Sequence, residues 1–536
     1  MPDLIYQFID RSADATPDAG ALLFKSEEVS YRELQARVSQ VARGLLSLGV
    51  AAGERVAVYL PKQLETVYGI FGAAAAGACF VPINPLLKPR QVAHILPHCN
   101  VRVLITSWQR LELLRPILTH CPDLHSIVLV DEPPATPVDP TPQTLLTFAE
   151  LCDADTAVAP HRRIDTDMAA ILYTSGSTGN PKGVVLSHRN MVAGANSVAS
   201  YLDNSAADRL LAVLPLSFDA GLSQLTTAFS VGASAVLMDY LLPRDVVRAV
   251  EKYSVTGLAA VPPLWNQLCG LPWPDAAVQS LRYITNTGGA MPVATTRALR
   301  AALPNTLVYL MYGLTEAFRS TYLPPDQVDA RPESIGKAIP NADILVVNER
   351  GEVCGPNEPG ELVHRGALVS LGYWNDPEKT AERFRPAPGR PVEIPVTEMA
   401  VWSGDQVMRD AEGYLYFISR KDDMIKTSGY RVSPTEVEEV VYASGLVAGA
   451  AALGLPHTAL GQAIALVATA RQAETPNASL EQELLAHCRR ELPNFMVPLA
   501  IIVRDALPHN QNGKIDRRAL GEEYRDLFRE DNNEQA

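Results

Sequence analysis

The chain has 536 residues, of which 47% are hydrophobic and 20% charged, so it is long enough for two or three folded domains and too apolar to be disordered. Its net charge of −14 argues against a nucleic-acid-binding surface, which would be basic. The seven cysteines are scattered and form no CxxC pair, which is typical of reduced thiols in a cytoplasmic protein. The start, MPDLIYQFID, carries no signal-peptide pattern, and the most apolar window, Tyr68–Val81, is too short to span a membrane.

Helices and strands are predicted to alternate along residues 1–150. The helices are expected at Leu4–Ala15, Tyr31–Leu48, Gln63–Ala76 and Lys88–Pro97, and the strands at Arg55–Leu60, Ala78–Ile83, Val101–Thr106 and Ser126–Val130. This rhythm is typical of a parallel sheet with crossover helices. His94 and His98 are four residues apart, but Pro97 between them argues against a helical metal site, and we assign no zinc site there.

The next stretch, Tyr173–Val184 (YTSGSTGNPKGV), is rich in Gly, Ser and Thr and contains one lysine, Lys182. It follows a predicted buried strand, Met168–Tyr173, and precedes a helix that Ser187 can cap. Hydroxyls, open backbone N–H groups and one cation are what a polyphosphate site needs, although a surface turn has a similar composition. The spacing fits neither a Walker A loop nor a G-x-G-x-x-G dinucleotide motif. The candidate phosphate ligands are Thr174, Ser175, Gly176, Ser177, Thr178, Gly179 and Lys182.

The alternating pattern resumes after this stretch and then changes twice. Further strands are predicted at Leu210–Leu214, Ala235–Met238, Leu258–Val261, Leu281–Thr285 and Leu307–Met311. From about residue 342 to 418, apolar and polar residues alternate around Gly and Pro turns, which indicates a small antiparallel β module. A small α+β unit follows, with a helix at Pro434–Ala443. We therefore predict a large domain, residues 1–419, and a small C-terminal domain, residues 420–536.

Taken together, the motif YTSGSTGNPKGV resembles the phosphate loop of the adenylate-forming superfamily, which includes acyl-CoA synthetases, amino-acid adenylation domains and luciferases. The resemblance implies a large α/β domain with parallel sheets and a small mobile α+β domain. It also implies ATP and Mg²⁺ as cofactors, with Lys182 and the loop hydroxyls holding the β- and γ-phosphates.

A second motif, Tyr312-Gly313-Leu314-Thr315-Glu316, follows a predicted strand. A carboxylate beside a threonine at a strand end can hold Mg²⁺ on a nucleotide, although such a pattern can also cap a helix. The segment resembles the second adenylation motif, which implies Thr315 near the α-phosphate, Glu316 at the metal and Tyr312 against adenine. The turn Gly288-Gly289-Ala290 resembles the segment that passes the adenine.

Further resemblances connect the two domains. Ser403-Gly404-Asp405 resembles the ribose-binding segment, with Arg420 as a second ribose contact. Residues 420–426 (RKDDMIK) match the hinge motif and imply that Asp422 is the pivot.

Two motifs of the C-terminal domain are expected to reach the site. The segment 427–431 (TSGYR) implies that Gly429 lets a pantetheine thiol pass close to the backbone, which only glycine permits. The segment 510–517 (NQNGKIDR) resembles the catalytic lysine motif, so Lys514 would stabilise charge between the carboxylate and the α-phosphate.

The pair Phe218-Asp219 departs from many fatty acyl-CoA synthetases and is similar to amino-acid adenylation domains, where the aspartate pairs with the substrate ammonium. A buried carboxylate in an acid pocket is costly without a cation. Alternatively, Asp219 caps a helix, because Gly221–Phe229 looks helical. Trp265 and Asn286 are further pocket candidates without assigned roles.

Three longer segments, LPLSFDAGLSQLTTAF, MYGLTEAFRSTYLPP and IKTSGYRVSPTEVEEV, resemble the AMP-forming acyl-CoA ligases associated with exosortase A systems. That resemblance implies an acyl carrier protein and a pyridoxal-dependent decarboxylase as neighbours. The predicted function is therefore an acid–thiol ligase that transfers an acyl group to CoA or a carrier protein. The alternative is an amino-acid adenylating enzyme that uses Asp219.

Overall fold

A computed structural model describes residues 2–132, 141–154, 156–174, 181–391, 393–420, 424–471, 477–508 and 515–529. The helices are α1 (Gln7–Ala15), α2 (Tyr31–Ser47), α3 (Leu64–Ala76), α4 (Pro89–His98), α5 (Trp108–Leu118), α6 (Phe148–Asp153), α7 (His188–Tyr201), α8 (Asp219–Val231), α9 (Pro243–Tyr253), α10 (Pro262–Leu268), α11 (Asp275–Ser280), α12 (Val293–Ala302), α13 (Pro377–Arg383), α14 (Pro434–Ala443), α15 (Asn477–Glu491) and α16 (Arg517–Glu523). Short 3₁₀ turns lie at Thr315–Ala317, Pro325–Gln327 and Asn494–Met496.

The strands are β1 (Gly20–Phe24), β2 (Glu27–Ser30), β3 (Arg55–Tyr59), β4 (Cys79–Pro82), β5 (Val101–Thr106), β6 (Ser126–Leu129), β7 (Thr144–Thr147), β8 (Met168–Thr174), β9 (Lys182–Ser187), β10 (Arg209–Ala212), β11 (Ser234–Leu237), β12 (Gly257–Ala260), β13 (Tyr283–Asn286), β14 (Leu307–Tyr312), β15 (Thr321–Leu323), β16 (Ser334–Ala338), β17 (Ala342–Val347), β18 (Gly360–Gly366), β19 (Phe384–Pro386), β20 (Met399–Arg409), β21 (Leu415–Arg420), β22 (Ile425–Thr427), β23 (Tyr430–Val432), β24 (Val447–His457), β25 (Gly461–Ala470) and β26 (Ala500–Val503).

Within the described residues, these strands form three sheets. The first sheet has the order β7-β6-β5-β3-β4-β8-β9 and is parallel except for the β8–β9 pair. The second runs β17-β18-β20-β21-β16-β15-β14-β13-β12-β10-β11-β1-β2, with β19 on β20, and is parallel from β14 to β1. The third joins β23-β22-β25-β24, with β26 on β25. The parallel strands are mostly apolar because helices cover both faces of such sheets.

Local sequence explains where the helices begin and how closely they pack. Ser30 and Glu33 form a reciprocal capping box at the start of α2, and Ser187 with Asn190 does the same at α7. Helix α3 is buried on nearly every side and packs against α2. Gly72 permits this contact, since a Cβ there would lie 2.5 Å from Val41 Cγ1. None of the described helices combines the length and apolar composition needed to cross a bilayer.

The predicted α/β fold class is confirmed. The predicted helices and strands are present with shifts of one to three residues at their ends, and all seven cysteines are free thiols. Sequence analysis missed α5, β7 and the β1–β2 hairpin. Pro97 does not end the helix that carries His94 and His98. Helix α4 continues to His98, because the Cys99 N–H still donates to the Ile95 carbonyl and closes the last turn.

The sheets converge on one large cavity of about 1160 Å³. The residues that follow β3, β4 and β8 in the first sheet line it, together with those that follow β10, β12, β13 and β14 in the second. Carboxyl ends of parallel strands are the usual ligand-binding edge of open α/β sheets. The C-terminal unit closes one side of the cavity with residues 428–431 and with Phe495 and Met496.

Candidate active site

The phosphate-loop motif lies at the junction of β8 and β9. Thr174 is the last residue of β8 and is in register with Lys182, the first residue of β9. Tyr173, Thr174 and Pro181 line the cavity. Ser175, Gly176, Ser177, Thr178 and Gly179 lie outside the described residues. The described flanks therefore place both ends of the motif at the cavity.

Glu316 and Lys182 meet through a tyrosine that sequence analysis did not single out. The Tyr373 hydroxyl donates to Glu316 Oε1 at 2.6 Å, and Lys182 Nζ lies 5.1 Å from the centre of the Tyr373 ring. Burial and then the Glu316 carboxylate raise the pKa of Tyr373, so its hydroxyl keeps the proton that it donates. Tyr373 thereby joins Glu316, which is predicted at the metal, to Lys182, which is predicted at the β- and γ-phosphates.

Electrostatics keep Glu316 ionised although it is 4% exposed. Burial alone would raise the pKa of Glu316, but Arg383, Arg431 and the Tyr373 hydroxyl outweigh that effect and hold the pKa below its ordinary value. Burial lowers the pKa of Lys182, and Lys379 lowers it further. An ionised carboxylate with hydroxyl neighbours suits Mg²⁺, a hard cation that takes oxygen ligands and completes its shell with phosphates and water.

The predicted adenine and ribose residues are brought together. Tyr312 donates its hydroxyl to Asp405 Oδ2 at 2.5 Å, and Asp405 is 2% exposed. Arg420 is in register with Asp405 across the β20–β21 ladder. The remaining predicted nucleotide contacts also line the cavity, namely Gly288, Gly289, Ala290, Gly313 and Thr315.

Polar side chains with unused acceptors define the acid end of the cavity. The Ser217 hydroxyl and Asn286 Oδ1 are buried and have no hydrogen-bond partner among the described residues. Asn286 Nδ2 donates to the Gly289 carbonyl at 2.9 Å. Phe218 and Asp219 line the same end. Trp265, by contrast, is fully buried in the core of the large domain and is not a pocket residue.

The position of Asp219 differs from the helix-cap alternative. Phe218 is the N-cap of α8 and makes no side-chain capping bond, while Asp219 is the first helical residue. Burial raises the pKa of Asp219 above its ordinary value, although Arg319 and the backbone of Ala220 lower it in part. Arg319 is 5% exposed and donates from Nη1 to the Thr287 hydroxyl at 2.8 Å. Arg319 is therefore a buried basic group close enough to Asp219 to lower its pKa.

Gly429 brings the C-terminal unit against the large domain. Its φ is +81°, and a Cβ there would lie 2.9 Å from two carbons of Val261. The Tyr430 ring meets Phe218 edge to face at 5.2 Å between centroids. A second cavity, of about 1050 Å³, shares Gly288, Gly289 and Gly429 with the first. Asp422 and Lys514 lie outside the described residues, so their predicted roles stay predictions.

Comparison with known families decides the assignment. The model of the AMP-binding enzyme matches residues 9–374, and that of the AMP-binding enzyme C-terminal domain matches residues 436–514. The chain belongs to the AMP-binding enzyme family. The predicted resemblance to the adenylate-forming superfamily is thereby confirmed, whereas an association with exosortase A systems stays a prediction.

Relatives of this AMP-binding enzyme fall into two groups. It is 30% identical to a long-chain-fatty-acid–CoA ligase of Escherichia coli over 98% of this chain and 94% of that protein. It is 33% identical to an L-proline–[L-prolyl-carrier protein] ligase of Streptomyces coelicolor over 96% and 95%. It also matches tyrocidine synthase 2 of Brevibacillus parabrevis at 30% identity over 96% of this chain, but spans only 13% of that much longer protein.

A solved structure has the same fold. The o-succinylbenzoate CoA synthetase of Bacillus subtilis, bound with a product analogue, is 25% identical, with a TM-score of 0.81 over 96% of this chain and 98% of that one. The relatives of the AMP-binding enzyme thus include ligases for CoA and ligases for carrier proteins.

Two residues of the site were missed from the sequence, Tyr373 and Arg319. Tyr373 lies in the loop between β18 and α13. The only available sequence signal was the pair Tyr373-Trp374 before an Asn-Asp-Pro turn. Arg319 follows the second adenylation motif by three residues, and an arginine in an otherwise apolar run was the available signal.

Proposed function

We propose that this chain is an ATP-dependent, AMP-forming acid–thiol ligase. The observation that carries the proposal is the Lys182–Tyr373–Glu316 cluster, whose neighbours Thr174 and Thr315 line the same cavity as Asp405, Asp219 and Gly429. A cation and a carboxylate joined beside the cavity, a carboxylate that can accept from ribose hydroxyls and further polar groups in the cavity lining supply what ATP and a carboxylic acid would need.

In the first step, a carboxylate oxygen of the acid attacks the α-phosphorus of ATP, and pyrophosphate leaves. Lys182 would hold the departing phosphates, and Asp405 would accept hydrogen bonds from the ribose. Mg²⁺, held by Glu316, would supply positive charge that offsets the phosphates. Lys514 would stabilise the charge that develops between the two reactants. Positioning and fixed charges account for this kind of catalysis.

In the second step, a pantetheine thiolate attacks the acyl carbon of the adenylate, the acyl–phosphate bond breaks, and AMP leaves. The thiol proton passes to solvent. The second cavity, which Gly429 lines, supports a route for the thiol, since a side chain at Gly429 would clash with Val261. Rotation of the C-terminal unit about Asp422 would exchange Lys514 for Gly429 between the steps.

A panel of acids in ATP–pyrophosphate exchange tests the first step. We expect exchange with at least one class among fatty, aryl and amino acids, and its loss in Lys514→Ala. Full exchange in Lys514→Ala would overturn the role given to that lysine. The second step is tested by offering the adenylate either CoA or a phosphopantetheinylated carrier protein and measuring AMP release.

The second candidate is an amino-acid–carrier protein ligase. It is favoured by Asp219 together with Asn286 Oδ1 and the Ser217 hydroxyl, because these residues line the same cavity and carry acceptors of the kind that an ammonium group needs. Pairs of acids that differ only in the α-amino group separate the candidates. Preference for the amino member by about tenfold or more would support it, and preference for the amine-free member would exclude it.

A further inference from the structure

Two histidines of α4 contact the two ends of the connection between β8 and β9. His94 Nε2 lies 3.2 Å from the Pro181 carbonyl, and His98 Nδ1 lies 2.7 Å from the Tyr173 hydroxyl. The two imidazole rings are 4.8 Å apart between centroids, and both meet the Tyr173 ring edge to face. One turn of one helix therefore reaches the residue before Thr174 and the residue before Lys182.

Hydrogen-bond chemistry fixes the roles of both rings. A carbonyl only accepts, so His94 must carry its proton on Nε2 and donate it to Pro181. The Tyr173 hydroxyl can donate to an unprotonated Nδ1 of His98. Burial lowers the pKa of both histidines, and the neighbouring His94 lowers the pKa of His98 further. Both contacts are therefore made by neutral imidazoles.

The end of α4 is also tied to β9 by a second route. The Trp374 indole N–H donates to the His98 carbonyl at 3.0 Å, and the Trp374 backbone N–H donates to the Gly183 carbonyl at 2.7 Å. Gly183 is in register with Tyr173 on the facing strand. The helix thus holds both strands of the junction at the level where they meet the cavity.

We propose that His94 and His98 are positioning residues for nucleotide binding, which fix Pro181 and Tyr173 and through them the placement of Lys182 and Thr174. The inference rests on the proposed ATP-dependent function. Both anchors act one residue away from a predicted phosphate ligand, so a displaced anchor moves that ligand directly. An acid bound at Asp219, which neither histidine contacts among the described residues, should not sense the change.

Paired substitutions separate a positioning role from general stability. His94→Leu and His98→Leu remove one hydrogen bond each, and we expect roughly a five- to tenfold rise in the MgATP dissociation constant and in KM for ATP, since that factor corresponds to one hydrogen bond. We expect kcat at saturating ATP and KM for the acid to stay within about twofold. MgATP binding is measured by calorimetry, and turnover by AMP release.

Conservative substitutions that restore the lost hydrogen bonds should rescue the affinity for MgATP. The Gln side-chain amide nitrogen can occupy the place of His Nε2, and the Asn side-chain oxygen the place of His Nδ1. His94→Gln and His98→Asn should therefore recover most of the wild-type affinity for MgATP. The exchanged pair, His94→Asn and His98→Gln, should not, because those amides place their polar atoms at the wrong distance.

His161→Leu is the matched control. His161 Nε2 also contacts a backbone carbonyl, that of Val50, at 2.9 Å, but Val50 is not next to a predicted phosphate ligand. We expect it to lower the melting temperature without changing MgATP affinity. If His94→Leu and His98→Leu behave like His161→Leu, the inference is overturned. A chain that binds MgATP yet forms no AMP would overturn the proposed function alone, while binding would still test the histidines.

Discussion

The two ends of the cavity differ in how the protein treats its own polar groups. The phosphate end consists of Thr174 and Thr315, which line the cavity, with their neighbours Lys182 and Glu316, and there Tyr373 already joins the carboxylate to the lysine. At the acid end, which comprises Ser217, Phe218, Asp219 and Asn286, the Ser217 hydroxyl and Asn286 Oδ1 are buried without a partner among the described residues. The groups of the first end are already joined to one another, whereas polar groups of the second are left for a ligand that we propose binds there.

This difference teaches where chemistry and selectivity are decided. A pre-formed cluster costs no rearrangement when charge moves during the reaction, so it serves any acid equally. A buried acceptor without a donor costs about 1–3 kcal/mol, and a ligand that brings the donor recovers it. On the proposed function, the acid end would select ligands by the donors they carry, and the first three predictions below each perturb one end.

The largest expected effect comes from the phosphate end. Glu316→Gln removes the carboxylate that would hold Mg²⁺. Arg383 and Arg431 keep this carboxylate ionised by lowering its pKa. We expect AMP formation to fall by about 100- to 1,000-fold, and equally for every acid in the panel. Glu349→Gln, at an exposed position, is the control and should change nothing. A loss confined to one class of acid would contradict the division between the two ends.

The next effect comes from the acid end. Asp219→Asn should weaken amine-bearing acids by about 10- to 100-fold, since a hydrogen bond to a charged group is worth about 1.5–3 kcal/mol. Amine-free acids should be used as well as before or better, because burial of the carboxylate raises its pKa and disfavours its charge. The readout is KM in pyrophosphate exchange. Asp275→Asn, at the first residue of α11, is the matched control.

If Asp219→Asn leaves amino-acid-dependent exchange unchanged, the ammonium pairing fails. Arg319 would then be the group that matches Asp219, and the polar acceptors at Ser217 and Asn286 would have to receive neutral donors from the acid.

A smaller effect is expected from Tyr373, which joins Glu316 to Lys182 at the phosphate end. Tyr373→Phe keeps the ring beneath Lys182 but removes the hydroxyl that donates to Glu316 at 2.6 Å. We expect kcat to fall about tenfold, as one hydrogen bond to a carboxylate is lost. Tyr416→Phe removes a hydroxyl that contacts Asp410 at 3.3 Å and should leave kcat unchanged. An unchanged kcat in Tyr373→Phe would mean that the cluster needs no such brace.

The smallest effect concerns the C-terminal side of the cavity, where Glu436 of α14 is 6% exposed. Burial, then Glu439, raises the pKa of Glu436 from 4.5 to about 8, so the folded chain keeps it neutral. Below pH 4.5 the carboxyl is protonated whether the chain is folded or not. As pH rises towards 8, only the unfolded chain ionises it, and stability is lost.

Glu436→Gln should therefore raise the melting temperature at about pH 8 by a few degrees and leave it unchanged at about pH 4.5. Thermal unfolding at both pH values measures the difference. Glu483→Gln, an exposed glutamate of the same unit, should give no pH-dependent difference. A gain that is equal at both pH values would show that the carboxyl titrates normally.

Local sequence was enough to predict most elements and one half of the site. The spacing of apolar residues predicted helix α2 and strand β5, because the period of that spacing reflects which face of an element is buried. Capping chemistry gave the start of α7 at Ser187. The motifs around Lys182, Glu316 and Asp405 are continuous in sequence, so they could be recognised without any tertiary structure.

Only the tertiary structure decided which residues from distant segments meet. The β1–β2 hairpin joins the second sheet beside β11, far along the chain, because strand character does not specify a partner. Tyr373 and Arg319 act through contacts with Glu316 and Thr287 that no local pattern encodes. The histidines of α4 gain their role only because packing brings them against the two ends of the β8–β9 connection. The periodicity of the sequence determined the helices and strands. The packing of distant segments against one another determined the site.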